Sequence, residues 1–546
     1  MRLFAIVLLA ACNGSASDIV ADTEETGDTQ ETGDTQETGD TSDTEDTAET
    51  DDTGDTSDTE DTDIGELGPM PNVIPAPMAL QQTGGFFVIE ANTDIIATGN
   101  AATVGDVFAD VLRTSTGFPL NIESSGDGIH LAIDSGADVG AEGYVLEVDD
   151  DGVWITGRDK AGLFYGTQTF LQLLPPEALS SVEEEVEWRV WSVHIEDEPR
   201  FSWRGMMLDV ARHFFDKQAV YRQIDLMALY KLNRLHLHLT DDQGWRIEIE
   251  SWPLLTEIGG EYEVGGGAGG WYTQDDYVDI VEYAAARQIV VVPELDFPGH
   301  ANAALASYGS LNSNGVPEDV YTGAGVISTP LWLDGPVTDD FVQDVWAEIA
   351  DLTPGPWLHI GGDEAVGISN NDYSDFIQWL QGLTDDEGKT MIGWDEIGIV
   401  DLSGGDFIAQ HWLDEDQALE AIDNGGLVIS SPAEHAYLDM VQSANDNQGQ
   451  TWAGVVDLDA AYNWDPIPQG ASESDVLGVE GALWTEYVSS ETRMDRMLWP
   501  RGAALAEVGW SDDQDWNGFQ DRIAAHGPRL ETLGVNFYAS PEIDWP

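Results

Sequence analysis

From Pro199 onward, eight short apolar runs alternate with amphipathic stretches, and this alternation limits the fold more than any other feature of the chain. The runs cover 205–210, 234–239, 289–293, 357–360, 390–394, 406–412, 427–430 and 476–483. Each has the length and apolar content of a strand buried on both faces. Helical stretches between and after them cover 217–232, 275–286, 339–352 and 492–509. In the second of these, Tyr277, Ile280, Val281 and Ala284 fall on one face. Eight strands with intervening helices over about 350 residues predict a (β/α)8 barrel at 199–546. A doubly wound open sheet is the alternative. No Gly-x-Gly-x-x-Gly phosphate loop follows any of the strands. The glycine cluster at 259–270 follows no strand and reads as a flexible active-site loop.

Barrel chemistry lies at the C-terminal ends of the strands, so the residues following each run indicate the site. In order they are Asp209 with Arg212-His213, Asp241-Asp242-Gln243-Gly244-Trp245, Glu294, Asp296 and His300, then Asp363-Glu364. The last four ends give Trp394 with Asp395-Glu396, His411-Trp412, Tyr437-Leu438-Asp439 and Trp484-Thr485-Glu486. Acids, one arginine and several tryptophans together suit a sugar. Carboxylates and guanidinium bind hydroxyls, and indole faces pack on the C–H surface of the ring. The pair Asp363-Glu364 follows Gly361-Gly362, where the backbone is free to turn and both acids are able to share a pocket. Two neighbouring carboxyls in different surroundings are able to hold different protonation states, as glycosidic cleavage requires. Taken alone, the pair is equally consistent with a helix cap.

Upstream, residues 67–198 read as a small α+β domain. Strands are expected at 86–89, 129–133, 144–148 and 152–156, and helices at 104–112 and 160–174. Residues 13–66 form a low-complexity linker with repeats such as Glu-Thr-Gly-Asp-Thr and no Lys, Arg or aromatic residue, a composition that favours a disordered, self-repelling tether. Residues 1–12 pair Arg2 with an apolar run from Leu3 to Ala11 and end in Cys12, the only cysteine. This is a signal peptide, too short to span a bilayer. Leu9-Ala10-Ala11-Cys12 resembles the lipobox of bacterial lipoproteins, which implies lipidation of Cys12 and export to the bacterial cell envelope. The net charge of -83 repels nucleic acid and anionic membrane surfaces, so a membrane is met only through that lipid anchor, and the charge spread suggests adaptation to salt.

The strand-end motifs resemble those of family 20 glycoside hydrolases, the β-N-acetylhexosaminidases. The stretches that carry this are Arg204 to Phe214, Lys231 to Arg246, Glu294-Leu295-Asp296-Phe297-Pro298-Gly299-His300, His359 to Glu364, and Leu483-Trp484-Thr485-Glu486. The resemblance covers both globular domains. It implies retaining hydrolysis of terminal β-linked N-acetylhexosamine, with the substrate's own acetamido oxygen as nucleophile and an oxazolinium intermediate. By the same resemblance Glu364 is the general acid/base, Asp363 orients the acetamido group, and Tyr437 holds its carbonyl oxygen. Arg212, Asp241, Glu486, His300 and Asp439 are implied around the sugar hydroxyls, and Trp394, Trp412 and Trp484 as the aromatic walls. No cofactor is implied.

Two other classes are weighed against this. His236-Leu237-His238 has the spacing of a metal pair. Both imidazoles precede the strand tip, however, and are expected to bond to neighbours inside the barrel, so no metal is assigned. A carbohydrate-binding protein without catalysis would keep the tryptophans but has no need for Asp363 and Glu364 together.

Overall fold

The computed structural model describes residues 67–327 and 329–546. The expected leader, Cys12 and the acidic linker lie outside the described residues. The first layer is a seven-stranded mixed sheet of β1 (Ala79–Val88), β2 (Asp94–Ile96), β3 (Ile122–Glu123), β4 (Gly128–Ile133), β5 (Tyr144–Val148), β6 (Val153–Gly157) and β7 (Arg189–Asp197), in the order β1-β7-β5-β6-β4-β2-β3. Helices α1 (Asn100–Thr116) and α2 (Lys160–Leu173) cover it. Strand β7 is absent from the sequence expectations. Its run Arg189-Val-Trp-Ser-Val-His-Ile-Glu-Asp197 alternates polar and apolar side chains, the mark of a strand with one wet face.

Eight parallel strands then close into a barrel: β8 (Trp203–Asp209), β9 (Arg234–His238), β10 (Val290–Glu294), β11 (Trp357–His359), β12 (Thr390–Trp394), β13 (Phe407–His411), β14 (Leu427–Ser430) and β15 (Val476–Leu483). Each lies within two residues of its expected bounds at either end. Closure pairs β15 with β8, so the open-sheet alternative is discarded. Trp203, Val292, Ile392, Ile408 and Ile429 form an apolar cluster inside the barrel. Outward residues such as Leu235 and Leu237 join the main core with the surrounding helices. Side chains alternate in direction along a strand. Arg234, His236 and His238 therefore face opposite to those leucines.

The helices begin where the sequence supplies caps. Asp216 accepts from the backbone of Gln218 and Ala219 ahead of Lys217–Leu229, and Thr273 and Asp276 form a capping box for Gln274–Ala286. The single helix expected at 492–509 is instead two, Glu491–Leu498 and Arg501–Trp510. Pro500 stands between them; it has no N–H to donate and its ring excludes a continuous helix.

Buried charges join the two layers. Lys231 Nζ lies 3.0 Å from Asp197 Oδ2, and Tyr144 and Trp510 donate to the same carboxylate. Arg204 pairs with Glu142 at 2.7 Å. Breaking either pair would leave a buried charge uncompensated, which fixes how the sheet sits on the barrel.

Candidate active site

The glycines before the acid pair have identifiable work. Gly361 and Gly362 both have positive φ, and a Cβ at Gly361 would stand 2.0 Å from Asp296 Oδ1. The strand end therefore turns tightly over Asp296, which accepts from Gly362 N at 3.1 Å. Burial and the adjacent Asp363 carboxylate push the Asp296 carboxyl well above the usual range. Glu364 itself has φ 44°, outside the ordinary regions for a side-chain-bearing residue. This turn sends both acids into one cavity. Asp363 is 8% exposed, whereas the Glu364 side chain is 42% exposed. The two neighbours thus differ in their surroundings, as their proposed division of labour needs.

The cavity has a volume of about 390 Å³, within the range of small-molecule sites. Of the residues expected from sequence, Asp363, Glu364, Tyr437, Arg212, His300, Trp412, Asp439, Trp484 and Glu486 line it. Asp241 and Trp394 do not. Asp241 is 1% exposed, 2.6 Å from Arg212 and bonded to His238 and His300, so it reaches the cavity only through them. Trp394, also 1% exposed, gives its indole N–H to Glu294 and lies 5.7 Å from the Trp484 ring. It backs that wall and is not itself open to the cavity. Strand ends show which residues are near the mouth; they do not show which are covered by others.

Three lining residues were not anticipated: Val326, Leu413 and Trp452. All three are exposed, and Trp452 packs edge-on to Trp412 and Tyr437. Trp452 comes from the long connection between β14 and β15, with no periodicity to place it. Arg501 was also missed. It is wholly buried and donates to the carbonyls of Leu438, Met440, Val456 and Met497. It thereby holds the segment that carries Tyr437 and Asp439. The glycine cluster at 259–270, expected as a flexible active-site loop, does not line the cavity; it meets the site through the backbone of Arg212 and is tied down. Val264 N donates to Arg212 O, and buried Arg246 bonds the carbonyls of Gly260, Tyr262 and Gly270.

The electrostatics follow from burial. Arg212 faces Asp209 and Asp241, whose charges hold its guanidinium ionised, and it stacks 4.8 Å from Trp484. Burial raises the carboxyl of Glu486, and burial with Glu486 nearby raises that of Asp439. Four buried polar atoms of the lining make no hydrogen bond: His300 Nε2, Asp363 Oδ1, Asp439 Oδ1 and Glu486 Oε2. Unsatisfied buried groups concentrated in one cavity mark the place of a polar ligand.

His236 and His238, weighed from the sequence as metal ligands, both have their ring nitrogens taken by carboxylates inside the barrel. They offer no free lone pair to an ion.

A closed parallel barrel whose mouth carries paired acids, a buried arginine and indole walls defines a glycoside hydrolase. Comparison with known proteins names the family. The model for glycosyl hydrolase family 20, catalytic domain, matches residues 201–374 and 368–513, and that for glycosyl hydrolase family 20, domain 2, matches 70–198. The chain is 40% identical over 489 residues to a beta-N-acetylhexosaminidase of Cellulomonas fimi, covering 87% of this chain and 97% of that protein. The GH20 beta-N-acetylhexosaminidase structure from Streptomyces coelicolor A3(2) superposes with TM-score 0.85 at 43% identity, over 88% of this chain and all of that one. A mutant Streptomyces plicatus beta-hexosaminidase in complex with GlcNAc gives TM-score 0.84 at 43% identity, with 88% and 99% coverage. The chain belongs to glycosyl hydrolase family 20.

Proposed function

We propose that the protein is an exo-acting β-N-acetylhexosaminidase that removes terminal non-reducing N-acetylhexosamine from β-glycosides such as chito-oligosaccharides. The observation that carries this reading is the set of four buried polar atoms without a hydrogen bond around one cavity walled by Trp412 and Trp484. Arg212, Asp439 and Glu486 take the ring hydroxyls. Asp363 accepts the acetamido N–H, and the Tyr437 hydroxyl donates to its carbonyl oxygen. Held so, that oxygen attacks the anomeric carbon while Glu364 protonates the departing glycosidic oxygen. An oxazolinium ring forms, and its positive charge lies beside ionised Asp363. Glu364, now a carboxylate, takes a proton from water as the water opens the ring, and the configuration is retained. His300 Nε2 stands 3.5 Å from Asp363 and 3.6 Å from Glu364, placed to trade a proton with the latter.

The test is release of p-nitrophenol from the N-acetyl-β-glucosaminide and the N-acetyl-β-galactosaminide, with and without a thiazoline that mimics the oxazoline. Hydrolysis blocked by the thiazoline supports the reading, and the ratio of the two rates reports the preferred sugar. Folded protein that cleaves neither, or that cleaves both without inhibition, would overturn it.

For location, we propose that Cys12 is lipidated and that the acidic segment tethers the enzyme to the bacterial envelope. Support comes from the Leu-Ala-Ala-Cys sequence and from the absence of any other cysteine. Labelled palmitate should enter the wild-type chain and not the Cys12→Ser variant; equal labelling of the two would end the idea.

A further inference from the structure

Beneath the cavity, acids and imidazoles alternate from the barrel floor to the catalytic centre. His236 Nδ1 is 2.8 Å from Glu480 Oε1, and its Nε2 is 2.9 Å from Glu294 Oε2. His238 Nδ1 bonds the same Glu294 oxygen, and its Nε2 is 2.8 Å from Asp241 Oδ2. Asp241 Oδ1 then meets His300 Nδ1 at 3.2 Å. All of these side chains are at most 5% exposed. Room for Glu480 is made by Gly205, where a Cβ would stand 2.1 Å from its carboxylate.

The protonation of this chain follows from donor counting. Each carboxylate also takes a hydrogen bond from a group that only donates: Trp203 to Glu480, Trp394 to Glu294 and Arg212 to Asp241. Groups so surrounded by donors are ionised acceptors. An imidazole with an ionised carboxylate at each nitrogen must donate from both. His359 is the internal contrast. Its Nδ1 accepts from Gly361 N at 3.0 Å, so that ring is neutral although it stacks 4.5 Å from His236.

We propose that His236 and His238 are imidazoliums at neutral pH, positioning residues that fix the charge beneath His300 and thereby the proton affinity of Glu364. Three anions (Glu480, Glu294, Asp241) are matched by His236, His238 and Arg212 before His300 is reached. Asp241, with Asp296 and Asp363 close by, outweighs burial and raises the His300 imidazole well above its ordinary range, so that ring is charged as well. Burial alone would lower both rings, but the bonded carboxylates outweigh it, raising His236 to about 9 and His238 well above the usual imidazole range. Other groups also face the two ends of the relay. Asp296 lies near both His238 and His300, and Asp242 and Asp363 face His300. Asp209 and Glu486 share Arg212 with Asp241. These remain in place in the variants below, so the change measured is that of the chain alone.

The kinetic part rests on Glu364 being the acid; the charge states do not, and they are read separately. The first experiment is ¹⁵N NMR of the whole chain labelled at its 10 histidines, from pH 5 to 9. Of the rings still protonated at both nitrogens at about pH 7.5, one should be lost in His236→Gln and another in His238→Gln. A neutral ring at either position at pH 7 would overturn the proposal whatever the activity. The second experiment is the pH profile of kcat/KM. Loss of the His238 charge removes a buried cation beneath the site, and His300, already charged, has no proton to gain in compensation, so the proton affinity of Glu364 rises. The alkaline limb should then move to higher pH by on the order of one unit. Glu480→Gln removes an anion and lets His236 become neutral together, so that limb should stay where it is while the His236 signal changes. An unmoved limb in folded His238→Gln, or a moved one in Glu480→Gln, would refute the positioning role. Should His238→Gln fail to fold, the NMR of the wild type and of Glu480→Gln still decides the charge states.

Discussion

The Glu396 carboxyl accepts the indole N–H of Trp412 at 3.1 Å, so the aromatic wall of the cavity is set by an acid from the neighbouring strand end. Beside it, one oxygen of Asp395 takes the backbone N–H groups of Trp412, Leu413 and Asp414, each at 3.0 Å. Trp412 is thus held at both its main chain and its ring. Burial and the charge of Asp363 push the Glu396 carboxyl well above its ordinary range, favouring the neutral acid. A neutral amide should therefore replace it without loss. Glu396→Gln is expected to keep KM within about two-fold, whereas Glu396→Leu, which cannot accept, should raise KM about ten-fold, the worth of one net hydrogen bond. Steady-state kinetics on an aryl N-acetylglucosaminide checks both.

Glu364 stands where it is able to reach a leaving group. Its side chain is the more exposed of the acid pair, and the exposed Trp452 and Leu413 lie at the same cavity. Glu364→Gln is expected to lower kcat/KM by about 10²–10⁴-fold on substrates with poor leaving groups. The loss should shrink for an activated phenol, which needs no proton to depart. A loss that did not depend on the leaving group would contradict its role as acid.

Asp363 presents an unpartnered oxygen to the cavity. Asparagine there keeps the shape and removes the charge that faces the positive ring. Asp363→Asn should lower kcat by about 10²-fold or more, while binding of the neutral product changes little. Calorimetric titration with N-acetylglucosamine beside turnover numbers separates the two effects. Equal losses in both would argue against charge stabilisation of the intermediate.

The barrel was legible because its strands are short, mostly apolar runs and its chemistry follows them directly in sequence. Asp363-Glu364 and Trp484-Thr485-Glu486 are readable on that ground. What the sequence hides is depth. Asp241 and Trp394 follow strands as regularly as Arg212 and Trp412 do, yet they are sealed by Arg212 and Trp484. Residues from long connections, Val326 and Trp452, reach the cavity by paths that no periodicity records. Arg501 illustrates a third kind of omission. It falls within the stretch expected as a helix at 492–509 with no motif to mark it, and only the fold shows its guanidinium inside a ring of carbonyls.

That ring makes Arg501 a supporting element for Tyr437 and Asp439. Its two terminal nitrogens serve four carbonyls on three stretches of chain. A lysine ammonium has three donors from a single point and cannot reproduce the fork. Arg501→Met would bury the four carbonyls without partners. It is expected to cost about 3 kcal/mol or more, read as a lower urea midpoint. Arg501→Lys should fall between, with a raised KM in the fraction that folds. An unchanged midpoint in Arg501→Met would show that water or other groups satisfy those carbonyls.

His526 gives the fold an acid-sensitive point away from the cavity. It is fully buried, with Nε2 donating to Asn72 O at 2.7 Å and Nδ1 lying 3.1 Å from the Tyr230 hydroxyl. Burial and the nearby Arg529 charge hold its imidazole down at about 3. In the unfolded chain the ring takes a proton below about 6.5. Between those values the unfolded state binds a proton that the folded state refuses, so stability falls as pH drops from about 6.5 towards 3. At pH 5 the loss from this group is on the order of 2 kcal/mol relative to pH 7. His526→Gln keeps a donor and an acceptor but does not titrate. It should be less stable than wild type at pH 7, with the difference narrowing or reversing at pH 5. Urea unfolding of both proteins at the two pH values gives the comparison, and parallel stability curves would assign the acid sensitivity to other groups.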